Sequence, residues 1–393
     1  MESEKKKIFV LLSRFPYPLD KGDKLRAFHQ LKILAQKHDV FLFSVSDKKV
    51  KKSEIEIIEQ MGITVEIAYL KKRKILVNLI RYFFSKNPFQ VGYFYHSFVQ
   101  NKIESTVKSY QPDAIYCQLI RMAEYTKKIQ HPHKILDYMD ALSSGMEKRY
   151  LIEKNFLKKI AYRIEFLRLK NYERDIFSFF KHCSIITKAD RQLIDVTEKN
   201  EIEVIPNGID TSFFLKNNSI KKYDILFTGN MSYPPNEDAA LFLIKEVMPK
   251  VWLHFSKAKL LIAGSSPTLR LKNLASDKVI ISGWIDDIRT AYNESKVFAA
   301  PLRLGSGLQN KLLEAMAMEM PCITSEMANE ALGAKVDNEI FIAKNSTQFS
   351  VLIVDFLKNE NKSEEIGKNA RNFVKENFDW IKTTENLNQL LMD

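Results

Sequence analysis

Short apolar runs alternate with amphipathic, helix-period segments along nearly the whole of this 393-residue chain. Few folds can use that pattern. Ile8 to Leu12 reads as a buried strand, and Lys24 to Lys37 follows as a helix with Leu25, Phe28, Leu31, Leu34 and Ala35 on one stripe. Val40 to Val45 is the next strand, then a helix near Ser53 to Met61 and a strand at Ile63 to Leu70. Further strands fall at Ala114 to Cys117, Ile135 to Tyr138 and Ser184 to Thr187. Strand–helix alternation implies βαβ units and a parallel sheet covered on both faces.

The pattern begins again after the strand Ile202 to Ile205 and the turn Pro206-Asn207-Gly208. Strands follow at Asp224 to Thr228, Lys259 to Ala263, Val279 to Ser282, Val297 to Ala300 and Cys322 to Thr324, with helices at Glu237 to Val247 and Leu308 to Met318. Helices near Thr347 to Lys358, Ser363 to Glu376 and Ile381 to Leu391 close the chain. One hydrophobic core stops growing at about 250–300 residues, so the expectation is two doubly wound α/β domains facing across a cleft. Their bounds are 1–205 and 206–376, with 377–393 as a C-terminal helix that crosses back to the first domain. Ligands in such sheets bind beyond the carboxyl ends of the strands.

The net charge is +12, with basic clusters at Lys5-Lys6-Lys7, Lys48 to Lys52 and Lys71-Lys72-Arg73-Lys74. This suits an anionic partner (phosphate-bearing substrate, membrane surface or nucleic acid) or simply a solvated face. No recognised nucleic-acid motif accompanies the charge, so no nucleic acid is expected. Residues 71–98 interleave Lys71, Lys72, Arg73, Lys74, Arg81 and Lys86 with Phe83, Phe84, Phe89, Tyr93, Phe94 and Phe98. That segment fits peripheral contact with an anionic membrane, or a core helix with one wet face. Cys117, Cys183 and Cys322 sit apart in apolar runs, as buried free thiols in a reducing compartment would. With no signal peptide and no apolar run near the ~18 residues of a spanning helix, the expected location is cytoplasmic, at most peripheral on the inner membrane face.

The chemistry concentrates in Pro301 to Ala317. This stretch leaves a strand, passes Gly305-Ser306-Gly307 and opens a helix. Glycines let the backbone approach a ligand, and free N–H groups at a helix start bind anions. Arg303 and Lys311 add positive charge where a diphosphate would lie. Glu314, near Lys311 on the same face, could accept both hydroxyls of a ribose. On spacing alone, a plain strand–turn–helix junction with a surface Lys–Glu pair remains open.

Leu312-Leu313-Glu314-Ala315-Met316-Ala317-Met318-Glu319-Met320-Pro321-Cys322-Ile323 resembles the helix, turn and strand around the nucleotide-ribose glutamate of glycosyltransferase family 4. Val204-Ile205-Pro206-Asn207-Gly208-Ile209-Asp210, Ile225 to Asn230 and Leu260 to Gly264 resemble its junction and its second-domain strands and glycine turns. The resemblance implies the GT-B fold, a nucleotide-diphosphate sugar donor with no other cofactor, and retention of anomeric configuration. It implies a glycan or lipid-linked acceptor in surface polysaccharide or glycoconjugate synthesis. It places Glu314 on the donor ribose, Gly305 to Leu308 on the diphosphate and sugar, Gly229 and Asn230 on the phosphate side, and Trp284 and Ile285 near the base. Trp284 is equally readable as a packing aromatic. Two departures stand out: Ser306 occupies the place of a first glutamate, and Asn230 to Asn236 lacks the usual Arg and Lys. Arg303 and Lys311 are the candidate replacement cations, and neither an Asp-x-Asp motif nor a His cluster calls for a metal.

The first half resembles the family more loosely. Gly22 stands where a glycine loop meets the donor phosphate, and Asp23 is either a cleft residue or a helix N-cap. Asp140 replaces a histidine that contacts the transferred sugar, or caps the next helix. Asp140, Glu314 and Lys311 form the candidate catalytic set. Glu173 and Arg191 are weaker candidates, readable as helix-surface charges. A sugar-nucleotide epimerase of the same build and a non-catalytic nucleotide-sugar-binding protein are the rival readings.

Overall fold

The computed structural model describes residues 5–304 and 307–393, which form two compact units: Met1–Pro206 together with Thr383–Asp393, and Asn207–Lys382. The first unit holds strands β1 (Lys7–Leu12), β2 (Asp39–Ser46), β3 (Thr64–Tyr69), β4 (Ala114–Gln118), β5 (Lys134–Asp137), β6 (His182–Ile185) and β7 (Ile202–Val204). They pair in parallel in the order β3-β2-β1-β4-β5-β6-β7. The second unit holds β8 (Tyr223–Thr228), β9 (Leu260–Ala263), β10 (Val279–Gly283), β11 (Ser295–Ala300), β12 (Cys322–Thr324) and β13 (Phe341–Ile342). Their order is β10-β9-β8-β11-β12-β13, again parallel. The helices that matter below are α1 (Gly22–Lys37), α2 (Lys72–Phe83), α3 (Leu142–Ile152), α4 (Phe156–Ile176), α5 (Pro234–Phe242), α6 (Asn310–Ala317) and α7 (Trp380–Met392).

Side chains of a strand alternate between faces, and both faces of each sheet are covered. From β1, Ile8, Val10 and Leu12 enter one core while Phe9 and Leu11 enter the other. The three cysteines lie on β4, β6 and β12, buried and free, and burial pushes the Cys117 thiol up to about 12.

A buried ion pair ties the first unit together. Arg26 of α1, with no exposed side-chain area, donates from Nε to Asp137 Oδ2 at 2.6 Å and from Nη1 to the Pro206 carbonyl at 3.2 Å. The Tyr116 hydroxyl lies 2.9 Å from both Asp137 Oδ2 and Gln30 Oε1, and the Met139 amide donates to Asp137 Oδ1 at 3.1 Å. Asp137 thereby fixes the end of β5.

Candidate functional site

In the second unit the chain winds outward one way from β8 and the other way from β11, so the carboxyl ends of these neighbours form the topological switch point. Glycine turns let the loops there close up. A Cβ on Gly264, after β9, would lie 1.9 Å from the Gly229 carbonyl oxygen, and its φ is +136°. The Gly229 amide donates to Ala263 O at 3.0 Å and the Gly264 amide to Gly283 O at 2.9 Å. Asn230 is exposed; its Oδ1 accepts from the Ser232 amide at 3.0 Å and the Ser232 hydroxyl at 2.8 Å, which shapes the turn into α5.

Glu314 projects from α6 into this point. The Tyr292 hydroxyl, 2.9 Å from Thr228 Oγ1, donates to Glu314 Oε2 at 2.7 Å. Among the described residues Oε1 has no partner, which leaves one carboxylate oxygen for a ligand hydroxyl. Burial pushes the Glu314 carboxyl up, while the Tyr292 hydrogen bond and Lys311 charge oppose it. Lys311, in the first turn of α6, donates from Nζ to Asn236 Oδ1 at 2.7 Å. Asn236 Nδ2 in turn donates to Asn230 O at 2.9 Å, so one chain of bonds runs from α6 to the Gly229–Asn230 turn. Loss of hydration lowers the Lys311 ammonium to about 8, against the pull of Glu314.

Gly305 and Ser306 lie outside the described residues. Beside them, Gly307 has φ +94° and Leu308 packs partly against the core. α6 begins at Asn310, two residues later than Leu308, because Gln309 is still extended. Arg303 engages Asp238 with both carboxylate oxygens, at 3.0 and 2.8 Å, and lies 4.4 Å from the Phe242 ring centre. It borders a cavity of about 430 Å³ shared with Pro301, Leu302, Ser325 and Lys344. Trp284 is no core aromatic: it is 71% exposed, and its indole N–H donates to Asp286 Oδ1 at 2.9 Å. Ile285 is half-buried against the core. Sequence reasoning missed Arg371, whose guanidinium donates to the Ala317 carbonyl at the end of α6 and to Thr211 O at 3.0 Å. A cation at a helix C-terminus stabilises it, so Arg371 positions the helix that carries Glu314.

In the first unit Gly22 is exposed at the start of α1. Asp23 is not the N-cap; Lys21 holds that position, and Asp23 instead pairs with Arg14 at 2.6 Å. Asp140 does not cap α3 either, since Ala141 stands there. Asp140 is solvent-exposed at the end of β5, and Met139 before it has φ +63°. Although the residue reaches the surface, protein packed around its carboxyl, then the charges of Asp190 and Asp137, push that group up to about 6, against Arg26 and Arg121. Glu173 is buried rather than on a helix surface. Its Oε1 accepts from the Ser143 amide at 3.0 Å and Oε2 from the Ser143 hydroxyl at 2.5 Å, capping α3. Arg191 is half-buried and reaches Ile202 O at 3.4 Å.

Two doubly wound parallel units, the second with the Gly229 and Gly264 turns and a helix-borne glutamate at its switch point, have the GT-B fold. Residues 222–359 match the family Glycosyl transferases group 1. Over 391 residues the chain is 24% identical to an uncharacterized 44.6 kDa protein in the cps region of Klebsiella pneumoniae, covering 95% of this chain and 96% of that one. HepE of Anabaena, solved with UDP and glucose, superposes with a TM-score of 0.68 at 14% identity, covering 99% of this chain and 100% of that one. Sucrose-phosphate synthase from Thermosynechococcus elongatus gives 0.68 at 14% identity, covering 98% of each chain.

Proposed function

We propose that this protein is a retaining, metal-independent glycosyltransferase that moves a hexosyl group from a nucleoside-diphosphate sugar to a glycan or lipid-linked acceptor in surface polysaccharide synthesis. The observation that carries the reading is Glu314, held by Tyr292 with one oxygen open, one turn from the half-buried Lys311 at the β8–β11 switch point. The carboxylate would take the ribose hydroxyls. Lys311 and the amides at the α6 start would meet the diphosphate, stabilising charge on the leaving group as the bond from the anomeric carbon breaks. Asp140 of the first unit is our candidate for the sugar and acceptor side. The cps-region relative and the UDP and glucose found with HepE support the substrate class. Residues 71–98 would rest on an anionic membrane that holds the acceptor.

A thermal-shift screen with UDP, GDP, ADP and their sugar conjugates, on wild type and Glu314→Ala, tests the donor site. Binding at 100 times the dissociation constant adds about 2.7 kcal/mol. One nucleotide should shift the wild type and fail to shift the variant. No shift with any of them sinks the assignment, and free nucleotide released without an acceptor points away from transfer.

A further inference from the structure

The first unit exposes large apolar side chains in two ordered rows. On α2 and its C-cap, Leu76, Val77, Ile80, Phe83 and Phe84 are all exposed, Phe84 at 84%, while Ile75 and Tyr82 are buried. At about 100° per residue these five share one stripe. On α4, Phe156, Leu157, Ile160, Ile164 and Leu167 form a second stripe, opposite the buried Leu169 and Tyr172. The C-terminal end of α3 adds Leu151 and Ile152, the latter 78% exposed.

The two rows are fixed to each other. Arg168 of α4 donates to the Tyr82 and Phe83 carbonyls, both at 3.0 Å, closing the C-terminal end of α2. Its guanidinium also lies 4.9 Å from the Phe89 ring centre. Glu165, one turn earlier, accepts from the Phe89 amide at 2.7 Å and the Gln90 amide at 3.0 Å. The segment after α2 is therefore stapled to α4, and both stripes run up to Arg168. The charge around them has one sign. Residues 71–86 hold six basic side chains (Lys71, Lys72, Arg73, Lys74, Arg81, Lys86) and no acidic one. Residues 147–170 hold eight basic and three acidic side chains, and one of the three is the buried Glu165.

We propose that α2 and the α3–α4 hairpin form a single lipid-docking face that takes the surface of an anionic bilayer. The inference deepens the membrane contact in the proposed function and rests on it, extending that contact to residues 142–170. Among the described residues no helix is long and apolar enough to cross a membrane, so both helices lie in the interface plane. There the apolar rows enter the acyl boundary and the lysines and arginines meet headgroup phosphates. A second copy of the chain would set basic face against basic face, whereas an anionic bilayer is complementary in both charge and polarity.

Vesicle flotation of the full chain tests this, with phosphatidylcholine alone or mixed with phosphatidylglycerol, at low and high salt. Wild type should float with the anionic vesicles and release as salt rises. Phe83→Ser with Phe84→Ser, and separately Leu157→Gln with Ile160→Gln and Leu167→Gln, should each weaken binding by about tenfold or more. All these positions are exposed, so circular dichroism and the nucleotide-induced thermal shift should match wild type. An α4 variant that floats like wild type overturns the composite face. So does a wild type that ignores anionic vesicles, or one that light scattering shows to be a dimer which the variants dissolve. Normal flotation without any nucleotide shift would uphold the face and sink the donor reading instead.

Discussion

A lysine ammonium that has lost its water is poised for an anion. Lys311 is lowered to about 8 by burial, with Glu314 opposing. Its folded value lies below the ordinary 10.5, so the stability it contributes is present above that value and lost as pH falls through about 8. A bound diphosphate would reverse the balance by drawing the proton back. Nucleotide affinity should therefore weaken as pH rises through the Lys311 value, with proton uptake on binding that calorimetry in buffers of different ionisation enthalpy detects. Lys311→Met should bind about tenfold more weakly at neutral pH and show no uptake; equal uptake in both proteins would exclude this role. Glu173 has the opposite sign. Burial raises it to about 7 from 4.5, so its contribution is full below 4.5 and is lost as pH rises through about 7. Glu173→Gln keeps a partner for Ser143 and should melt at or above wild type at pH 8, losing that advantage at pH 5. A variant that melts lower at both pH values argues against this account. That Glu314 and Lys311 share the first turns of one helix was legible in the sequence, because one contiguous motif carries both. The burial of Glu173 and its role at α3 were not, since its partner Ser143 is 30 residues away and the two meet through the fold alone. Arg26 and Asp137, 111 residues apart, were hidden for the same reason.

Among the elements, glycine turns decide how closely the strand ends of the second unit approach. Gly264 has φ +136°, and a Cβ there would meet backbone rather than a mobile side chain, 1.9 Å from Gly229 O. Gly264→Ala must push the Gly229–Asn230 turn away from β9. We expect a loss of about 2 kcal/mol or more by chemical denaturation, together with weaker nucleotide binding. The control Gly145→Ala, inside α3 where a Cβ meets nothing within 4 Å, should leave nucleotide binding unchanged and raise stability by about 0.5–1 kcal/mol. Full nucleotide affinity in Gly264→Ala would show that the turn does not shape the site. The long apolar runs predicted their strands well: Asp224 to Thr228 became Tyr223–Thr228, and Lys259 to Ala263 became Leu260–Ala263. β13, only Phe341–Ile342, carries too few residues to show a period. The start of α6 was set two residues early because Leu308 continues the apolar spacing, while the backbone through Gly307 and Gln309 stays non-helical.

At the scale of the whole chain, the first unit is built from two separated stretches of sequence. α7 begins in the second unit at Trp380, and from Thr383 onward the chain belongs to the first. There Leu387, Leu390 and Leu391 enter the core beside Ile8, Val10 and Leu34. Lys6 Nζ donates to Met392 O at 3.0 Å, His133 Nε2 to Leu390 O at 2.8 Å and Lys181 Nζ to Asp393 O at 2.9 Å, so the helix end is held by polar groups from several places in the chain. The hydrophobic period of Ile381 to Leu391 was plain in the sequence, but the carbonyl partners were not, because no local pattern marks them. Removing residues 383–393 uncovers the core under three buried leucines. At about 1.5–3 kcal/mol for each, the first unit should lose about 5 kcal/mol, much of the stability of an ordinary domain. Limited proteolysis should then cut first within residues 5–206, at temperatures where the full chain resists. Lys37→Ala, which removes only the half-exposed Lys37–Glu385 pair, should cost about 1 kcal/mol or less. If the truncated chain resists protease as the full chain does, the packing of α7 contributes little and the first unit is held by its sheet alone.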